Sequence, residues 1–175
     1  DDVRSSPAVH DGVVYIGAYD NNLYAIDAEN GEFLWKYPTD GGIGSSPCVH
    51  EETVFFGSAD QLLYAININT SRLSWTCPTD GSIWSSPKVA FGHVFFGSDD
   101  HNLYAANIHS GRVAWTFETE GAVRSSPAIG DDSIYIGCEG GVVYSVDTSG
   151  QARWRFRARR AVTSSPFITD EMVYV

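Results

Sequence analysis

The sequence lacks any long hydrophobic run, and this absence excludes a helical membrane protein. No apolar stretch approaches the roughly 18 residues that a membrane-spanning helix needs. The first residues, DDVRSSPAVHDG, also lack the basic and apolar regions of a signal peptide. We therefore expect no transmembrane segment, while a longer parent chain could carry its own leader.

Basic residues are scarce, and this argues against a nucleic-acid partner. The chain has 11 Lys and Arg against 22 Asp and Glu, for a formal net charge of −11. Such a surface repels phosphate backbones, so nucleic acid is not expected to bind most of it. Five of the basic residues stand together in one stretch, RWRFRARR.

Metal and catalytic motifs are also missing. The three cysteines include no C-x-x-C and no adjacent pair, which predicts neither a disulfide framework nor a zinc site. The five histidines are scattered, and the acidic turns lack the D-x-D/N-x-D/N-G spacing of a calcium loop. We interpret Cys48, Cys77 and Cys138 as free, small apolar residues, and we predict no metal site and no catalytic residues.

The sequence also shows no helical periodicity. It contains instead a repeat of about 40 residues. Ser-Ser-Pro begins at positions 5, 45, 85, 125 and 164, and tryptophan recurs at 35, 75, 115 and 154. The modules predicted from this spacing are 3–40, 43–80, 83–120, 123–159 and an incomplete 162–175.

Each module contains four short segments rich in β-branched and aromatic residues, separated by turn residues. In the first module these are VRSSPAV, VVYIGA, NLYAID and FLWKYPT. Four antiparallel strands in about 40 residues are typical of a propeller blade. We therefore predict an all-β fold, a β-propeller of four-stranded antiparallel blades with four complete repeats and half of a fifth. Because a half blade leaves an open edge, we expect a fragment of a seven- or eight-bladed propeller, or self-association through open blade edges.

The segments that join the third and fourth strands resemble a known motif. AIDAENGEFLW, AININTSRLSW, AANIHSGRVAW and SVDTSGQARW are similar to the tryptophan-docking motif, A-x-D-x-x-x-G-x-x-x-W, of pyrroloquinoline quinone (PQQ) repeat propellers. The resemblance covers nearly the whole chain. Departures are Asn67 and Asn107 for Asp, Ser71 for Gly, Ser145 for Ala, and a fourth copy that is one residue shorter.

A tryptophan once per blade has a structural role that follows from its size. Its ring can lie flat on the neighbouring blade and bury about 200 Å². The glycine before it permits the turn and leaves room for a ring from the next blade. The residues predicted to serve this docking are Trp35, Trp75, Trp115, Trp154, Gly31, Gly111 and Gly150.

The resemblance implies two functional classes. Quinoprotein dehydrogenases of this family hold PQQ on the propeller axis between a tryptophan and a disulfide of adjacent cysteines, with Ca²⁺, whereas other members bind proteins or act as scaffolds, including in outer-membrane protein insertion. Because no Cys-Cys pair occurs here, we predict a non-catalytic binding or scaffolding module with a protein or small-ligand partner and no cofactor. The alternative is part of a PQQ-dependent dehydrogenase whose PQQ and calcium residues lie elsewhere. The resemblance also implies a location in the periplasm or at the cell surface.

One position varies where its neighbours repeat. The residue before Ser-Ser-Pro is Arg4, Gly44, Trp84, Arg124 or Thr163. Since ligands of such propellers meet the inner strands at the channel, we predict a binding site at the channel mouth for a flat or anionic ligand or an acidic peptide. Its predicted residues are Arg4, Trp84, Lys88 and Arg124. In the alternative interpretation, Trp84 fills a wedge between blades and the cations face solvent or carboxylates.

The arginine-rich stretch alternates with a period of two. Trp154, Phe156 and Ala158 fall on one face of the predicted outer strand, and the other face carries four arginines. That predicted surface patch consists of Arg153, Arg155, Arg157 and Arg159. The pattern fits either a charged edge that resists sheet-to-sheet aggregation or pairs with the protein's own acidic surface, or a docking stripe for an anionic partner.

Overall fold

The computed structural model describes residues 2–169 and 172–175, which form eighteen β-strands and no helix. Strands of the first sheet are β1 (Ala8–His10), β2 (Val13–Gly17), β3 (Asn22–Asp27) and β4 (Phe33–Pro38). The second sheet contains β5 (Cys48–His50), β6 (Thr53–Gly57), β7 (Leu62–Asn67) and β8 (Arg72–Pro78). In the third sheet are β9 (Lys88–Ala90), β10 (His93–Gly97), β11 (Asn102–Asn107) and β12 (Val113–Glu118). The fourth sheet contains β13 (Ala128–Ile129), β14 (Ser133–Cys138), β15 (Val142–Asp147) and β16 (Ala152–Arg157). A final two-stranded sheet pairs β17 (Phe167–Ile168) with β18 (Val173–Tyr174).

Every sheet is an antiparallel meander in chain order, from an inner first strand to an outer fourth strand. The inner strands of successive sheets lie side by side, so the sheets are arranged as blades around a common axis. This confirms the predicted β-propeller of four complete blades and half of a fifth. Within the described residues, no helix could cross a membrane.

The inner strands begin later than predicted. We expected VRSSPAV to form the first strand, but β1 starts at Ala8, after the proline. Proline has no N–H for the sheet ladder, and the N–H of Ser6 donates instead to Oγ of Ser46 in the next blade, at 2.8 Å. This bond repeats between all the blades, from Ser46 to Ser86, from Ser86 to Ser126 and from Ser126 to Ser165.

The first serine of Ser-Ser-Pro acts within its own blade. Oγ of Ser45 donates to the carbonyl of Gly57 and accepts from its N–H, both at 2.8 Å. Glycine is required there because a Cβ on Gly57 would lie 2.2 Å from Cγ2 of Ile83. In the third blade the equivalent Ser85 Oγ is buried without a hydrogen-bond partner among the described residues, and nothing in the structure explains that difference.

The core lies between the blades, and interior blades are buried on both faces. Phe55, Phe56, Phe95 and Phe96 are consecutive pairs on β6 and β10, yet all four are at most 1% exposed. Successive side chains of a strand point to opposite faces. Burial of both therefore shows that each interior sheet is covered by a neighbour on either side.

Trp75 and Trp115 contact the blade that follows them. Nε1 of Trp75 donates to the carbonyl of Ile108 at 3.1 Å, and its ring lies against Gly111, where a Cβ would be 2.5 Å from Cε3. Trp115 meets Gly150 in the same way. Our expectation that the glycine receives a ring from the next blade was wrong in direction, since the ring comes from the preceding blade.

The cysteines are free thiols, as expected. Cys48 lies on the inner strand β5 and Cys77 on the outer strand β8 of the same blade, too far apart for a disulfide. Burial raises the pKa of Cys77 to about 11, so this thiol is protonated at neutral pH.

Candidate functional site

The turns between the second and third strands carry one half of the candidate site. In the first turn, Asp20 Oδ1 accepts the N–H of Asn22 at 3.1 Å and Oδ2 accepts the hydroxyl of Tyr24 at 2.5 Å. Desolvation would raise the pKa of Asp20, but these hydrogen bonds outweigh it and lower the pKa. Asp60 and Asp100 make the same bonds in the next two blades. The turn is thus rigid, and it displays the residue before the aspartate.

That displayed position lies beside the residue that precedes Ser-Ser-Pro. The N–H of Tyr19 donates to the carbonyl of Asp2 at 3.0 Å, and that of Asp99 to the carbonyl of Ser82 at 3.0 Å. These bonds bring two variable positions together at one end of the inner strands. Their occupants form a continuous group, here called the mouth cluster: Arg4, Tyr19, Trp84, Asp99, Arg124 and Glu139.

Two aromatic rings form the centre of the mouth cluster. Trp84 stacks on Tyr19 with ring centroids 5.9 Å apart and planes inclined by 19°. The guanidinium of Arg4 lies 5.1 Å from the centroid of the Tyr19 ring. Trp84 is half-buried, and its Nε1 donates to Oδ2 of Asp99 at 3.1 Å. Its polar edge is thus satisfied while part of the indole stays on the surface.

Trp84 reaches across an entire blade because the equivalent position of the blade between has no side chain. It belongs to the third blade and Tyr19 to the first, and between them stands Gly44 of the second. A Cβ on Gly44 would lie 2.7 Å from Cε3 of Trp84 and 3.2 Å from the Tyr19 hydroxyl. The glycine is therefore required for the stack, and any side chain there would displace the indole.

The arginines of the mouth cluster face carboxylates. Arg124 donates two hydrogen bonds to Asp99, at 2.8 and 3.0 Å, and lies 3.2 Å from Glu139. The bonds to Asp99 raise the pKa of Arg124. Arg4 lies 3.4 Å from Asp2. Two arginines meet three carboxylates, so the contacts match the alternative in which the cations are internally paired, and they do not favour an anionic ligand.

Lys88 lies apart from the other three predicted site residues. It lines a groove of about 660 Å³ along the inner strands, here called the inner groove, together with the serines and prolines of Ser-Ser-Pro. Within the described part of the chain, no carboxylate lies within 4.0 Å of Lys88. The structure therefore brings Arg4, Trp84 and Arg124 together through Tyr19 and Asp99 and places Lys88 in the adjoining groove.

Sequence reasoning missed half of the mouth cluster. Tyr19, Asp99 and Glu139 were not predicted, although they occupy one aligned position that also varies, with Ala59 in the second blade. The signal was present in the repeat alignment. Its meaning depended on the turn and the inner strand meeting at one end of the blade, which the sequence does not show.

The predicted arginine patch is largely paired with the protein's own carboxylates. Arg153 forms a two-point contact with Asp132 at 2.9 and 2.6 Å. Arg155 lies 3.5 Å from Glu120, and Arg157 also bonds that carboxylate. Arg159 follows the end of β16 and is exposed. These contacts match the charged-edge interpretation for the three strand residues.

The residues present do not fit the PQQ and calcium site that the resemblance implies for dehydrogenases. Over residues 2–169 and 172–175, no group of three or more His, Cys, Asp or Glu side chains could hold a metal ion. The indole edge of Trp84 is already bonded to Asp99, which is itself shared with Arg124. No cofactor chemistry is therefore assigned to the mouth cluster.

The fold and its docking contacts define a class, the β-propellers of PQQ-like repeats. The chain belongs to the family whose model is described as outer membrane protein assembly factor BamB, and this model matches residues 1–82 and 41–175. Family membership confirms the predicted resemblance. A comparison with the curated proteins finds no match.

Solved structures of low sequence identity share the fold. The crystal structure of BamB from Moraxella catarrhalis is 22% identical, with a TM-score of 0.83, and the match covers 98% of this chain and 54% of that one. The computationally designed Ika8 protein is 17% identical, with a TM-score of 0.85 and coverages of 95% and 53%. This chain thus spans about half the length of these structures, and the likeness concerns the fold alone.

Proposed function

We propose that this chain is a non-catalytic binding module and that the mouth cluster holds a segment of a protein partner. One observation carries the proposal. The mouth cluster differs from blade to blade, while the docking tryptophans and the Ser-Ser-Pro segments repeat, and the turn aspartates repeat in the first three blades. A site for one partner needs such irregularity, whereas a purely structural layer would repeat with the blades.

The chemistry of the mouth cluster favours a partner segment with a planar side chain. Trp84, Tyr19 and Arg124 are of the residue types that dominate protein-protein interfaces. Because the two arginines already face three carboxylates when Asp2 is included, we propose an arginine or aromatic side chain of the partner, stacked on the indole beside Glu139. The family model's description as an assembly factor supports a protein partner, and by the same relation we propose a periplasmic location at the outer membrane.

A peptide selection on the immobilised protein tests this proposal. Peptides enriched from a displayed random library should bind the wild-type chain. Trp84→Ala should weaken them at least about tenfold, since a central aromatic anchor contributes about 2 kcal/mol or more. Gly44→Val, which pushes the indole out of place, should act in the same direction. The control is Phe33→Ala, an exposed aromatic on the outer strand of the first blade.

The competing hypothesis, a PQQ-dependent dehydrogenase, is tested by a separate measurement. Titration of the full-length parent protein with PQQ in the presence of Ca²⁺ should produce no saturable, calcium-dependent change. If PQQ binds, or if the selected peptides bind Trp84→Ala as tightly as wild type, the mouth cluster is not a protein-binding site.

A further inference from the structure

The turn between the third and fourth strands of the second blade contains the one Asn-x-Ser/Thr sequence of this chain. Asn69, Thr70 and Ser71 form it, between the end of β7 and the start of β8. Asparagine followed by any residue except proline and then by serine or threonine is the acceptor sequence for N-linked glycosylation. Such a site has to lie on the surface of the folded protein, since the attached sugar is bulky and hydrophilic.

The two side chains that define the acceptor sequence are not used to hold the turn. Asn69 is exposed and Ser71 is half-buried. The turn is closed by Asn67, whose Oδ1 accepts the N–H groups of Asn69 and Thr70 at 3.1 and 2.9 Å. Among the described residues, the carboxamide of Asn69 and the hydroxyl of Ser71 form no hydrogen bond. Both groups are therefore free for another role.

Ser71 is costly at a position where the other complete blades have glycine. Its φ of +57° lies in the left-handed region that disfavours a Cβ. The equivalent Gly111 also receives an indole, since a Cβ there would lie 2.5 Å from Cε3 of Trp75. Trp75 donates to the carbonyl of Ile108 at 3.1 Å, whereas the equivalent Trp35 donates no such bond within the described part of the chain. Strained residues of this kind concentrate at functional positions.

We propose that Asn69 is the attachment site of an N-linked glycan, added when the protein is exported from the cytoplasm. Nδ2 of Asn69 forms a bond to the anomeric carbon of an oligosaccharide that is carried on a polyisoprenyl diphosphate. The bond from that carbon to the phosphate oxygen breaks, and the lipid diphosphate leaves with the electron pair. An oligosaccharyltransferase takes up the proton from Nδ2 and recognises the hydroxyl of Ser71. Glycine at position 71 would relieve the strain but remove that hydroxyl.

The glycan lies at the opposite end of the blade from the mouth cluster. β7 runs from the turn that contains Ala59, the mouth-cluster position of the second blade, to the turn that contains Asn69. Its six residues separate the two turns by about 20 Å. A sugar on Asn69 thus leaves the mouth cluster accessible. The inference shares with the proposed function only the location outside the cytoplasm and does not depend on what the mouth cluster binds.

Mass spectrometry of the full-length protein isolated from its own cells tests this inference. Trypsin cuts after Lys36 and Arg72, so the acceptor sequence falls in the peptide 37–72. We expect this peptide to carry the mass of an oligosaccharide, and fragmentation that preserves the glycan should locate it on Asn69. Asn67 of the same peptide is an internal control. It is followed by Ile68 and Asn69 and should be unmodified.

Variants produced in the same cells separate the acceptor sequence from the shape of the turn. Asn69→Gln and Ser71→Gly should each abolish the added mass, although Ser71→Gly relaxes the backbone. Ser71→Thr keeps the hydroxyl and should keep the glycan. Asn30→Gln, an exposed asparagine in the aligned turn of the first blade, is the matched control and should leave the glycan on Asn69 unchanged.

Two outcomes would overturn the inference while leaving the peptide-binding test of the mouth cluster unaffected. One is an unmodified peptide 37–72 in protein recovered from outside the cytoplasm. The other is an added mass that persists in Ser71→Gly. Recovery of the protein from the cytoplasm alone would overturn this inference together with the proposed location.

Discussion

At the scale of single residues, the turns between the third and fourth strands of each blade, here called the docking turns, accept substitutions that preserve one hydrogen-bond acceptor. Oδ1 of Asp27 accepts the N–H groups of Glu29 and Asn30 at 2.9 and 3.0 Å. The carboxamide oxygen of Asn67 does the same at 3.1 and 2.9 Å in the second blade. A turn of this kind needs an oxygen at that point and no charge. The two departures from the Asp of the motif are therefore conservative.

Asp147→Asn should make the stability of the protein less sensitive to low pH without disrupting the turn. The bonds from Gln151 and Ser149 lower the pKa of Asp147 below its ordinary value of 3.8. Its stabilising contribution is therefore present above that value and is lost as pH falls through the lower folded-state pKa. We expect Tm near neutral pH to be almost unchanged and the loss of Tm between about pH 4 and pH 2 to be smaller in the variant. An equal loss of Tm in wild type and variant would contradict this.

Ser71→Gly should stabilise the protein. Ser71 occupies the position of Gly111 and has φ of +57°, a backbone conformation that disfavours side chains with a Cβ. Glycine should raise the free energy of unfolding by about 0.5–1 kcal/mol in denaturant melts. Thr76→Gly, at a regularly paired position of β8 opposite Tyr64, is the control and should lower the free energy of unfolding, because glycine weakens a regular strand. Stabilisation by both variants would exclude the conformational explanation.

At the scale of strands, the outer strand of each blade depends on the blade that follows. Trp75 and Trp154 occupy the same repeat position, yet Trp75 is bonded to Ile108 and packed on Gly111, while Trp154 is 42% exposed. A tryptophan at this repeat position therefore contributes more to the free energy of unfolding in an interior blade than in a blade at the end of the series.

Trp75→Ala should cost roughly 3–5 kcal/mol, because it removes a packed ring and leaves a cavity at the contact between blades. Trp154→Ala should cost less, because its ring is already 42% exposed and its aromatic contact is with Tyr135 of its own blade. Denaturant melts of the two variants measure both values. Equal, small losses would count against the docking role of these tryptophans.

At the scale of the whole molecule, neighbouring blades are linked in a linear series. The serine bonds of the inner strands run from Ser6 in the first blade to Ser165 in the half blade. In such arrays each unit is stabilised by its neighbours, so interior units should open last. The end units have one neighbour each.

Hydrogen exchange should therefore follow the position of the blade. Amides of central strands in interior blades, such as Ala65 and Ala105, should exchange most slowly, since both sheet faces around them are buried. Amides of Val173 and Tyr174 at the open edge should exchange orders of magnitude faster. Mass spectrometry of peptic peptides resolves this order, and uniform protection from β1 to β18 would contradict a linear series.

The repeat in the sequence determined the fold. Strand content, blade number and the tryptophan register all follow from patterns with a period of about 40 residues, because each blade must present the same residues to its neighbours. The inner strands were predicted to begin too early, and this error has a local cause. Ser-Ser-Pro reads as part of a strand, but its hydrogen bonds go to the next blade.

The tertiary structure decided which residues come together in the candidate site. The sequence singled out Trp84 as the tryptophan outside the docking register, but not Tyr19, which lies 65 positions earlier in the chain. Their stack requires the bare backbone of Gly44 between them. Likewise, the pairing of Arg124 with Asp99 and Glu139 matches the alternative in which the cations face carboxylates, which the sequence could not distinguish. Periodicity specifies contacts that recur in every blade, whereas a contact that occurs once depends on which unrelated positions the fold brings together.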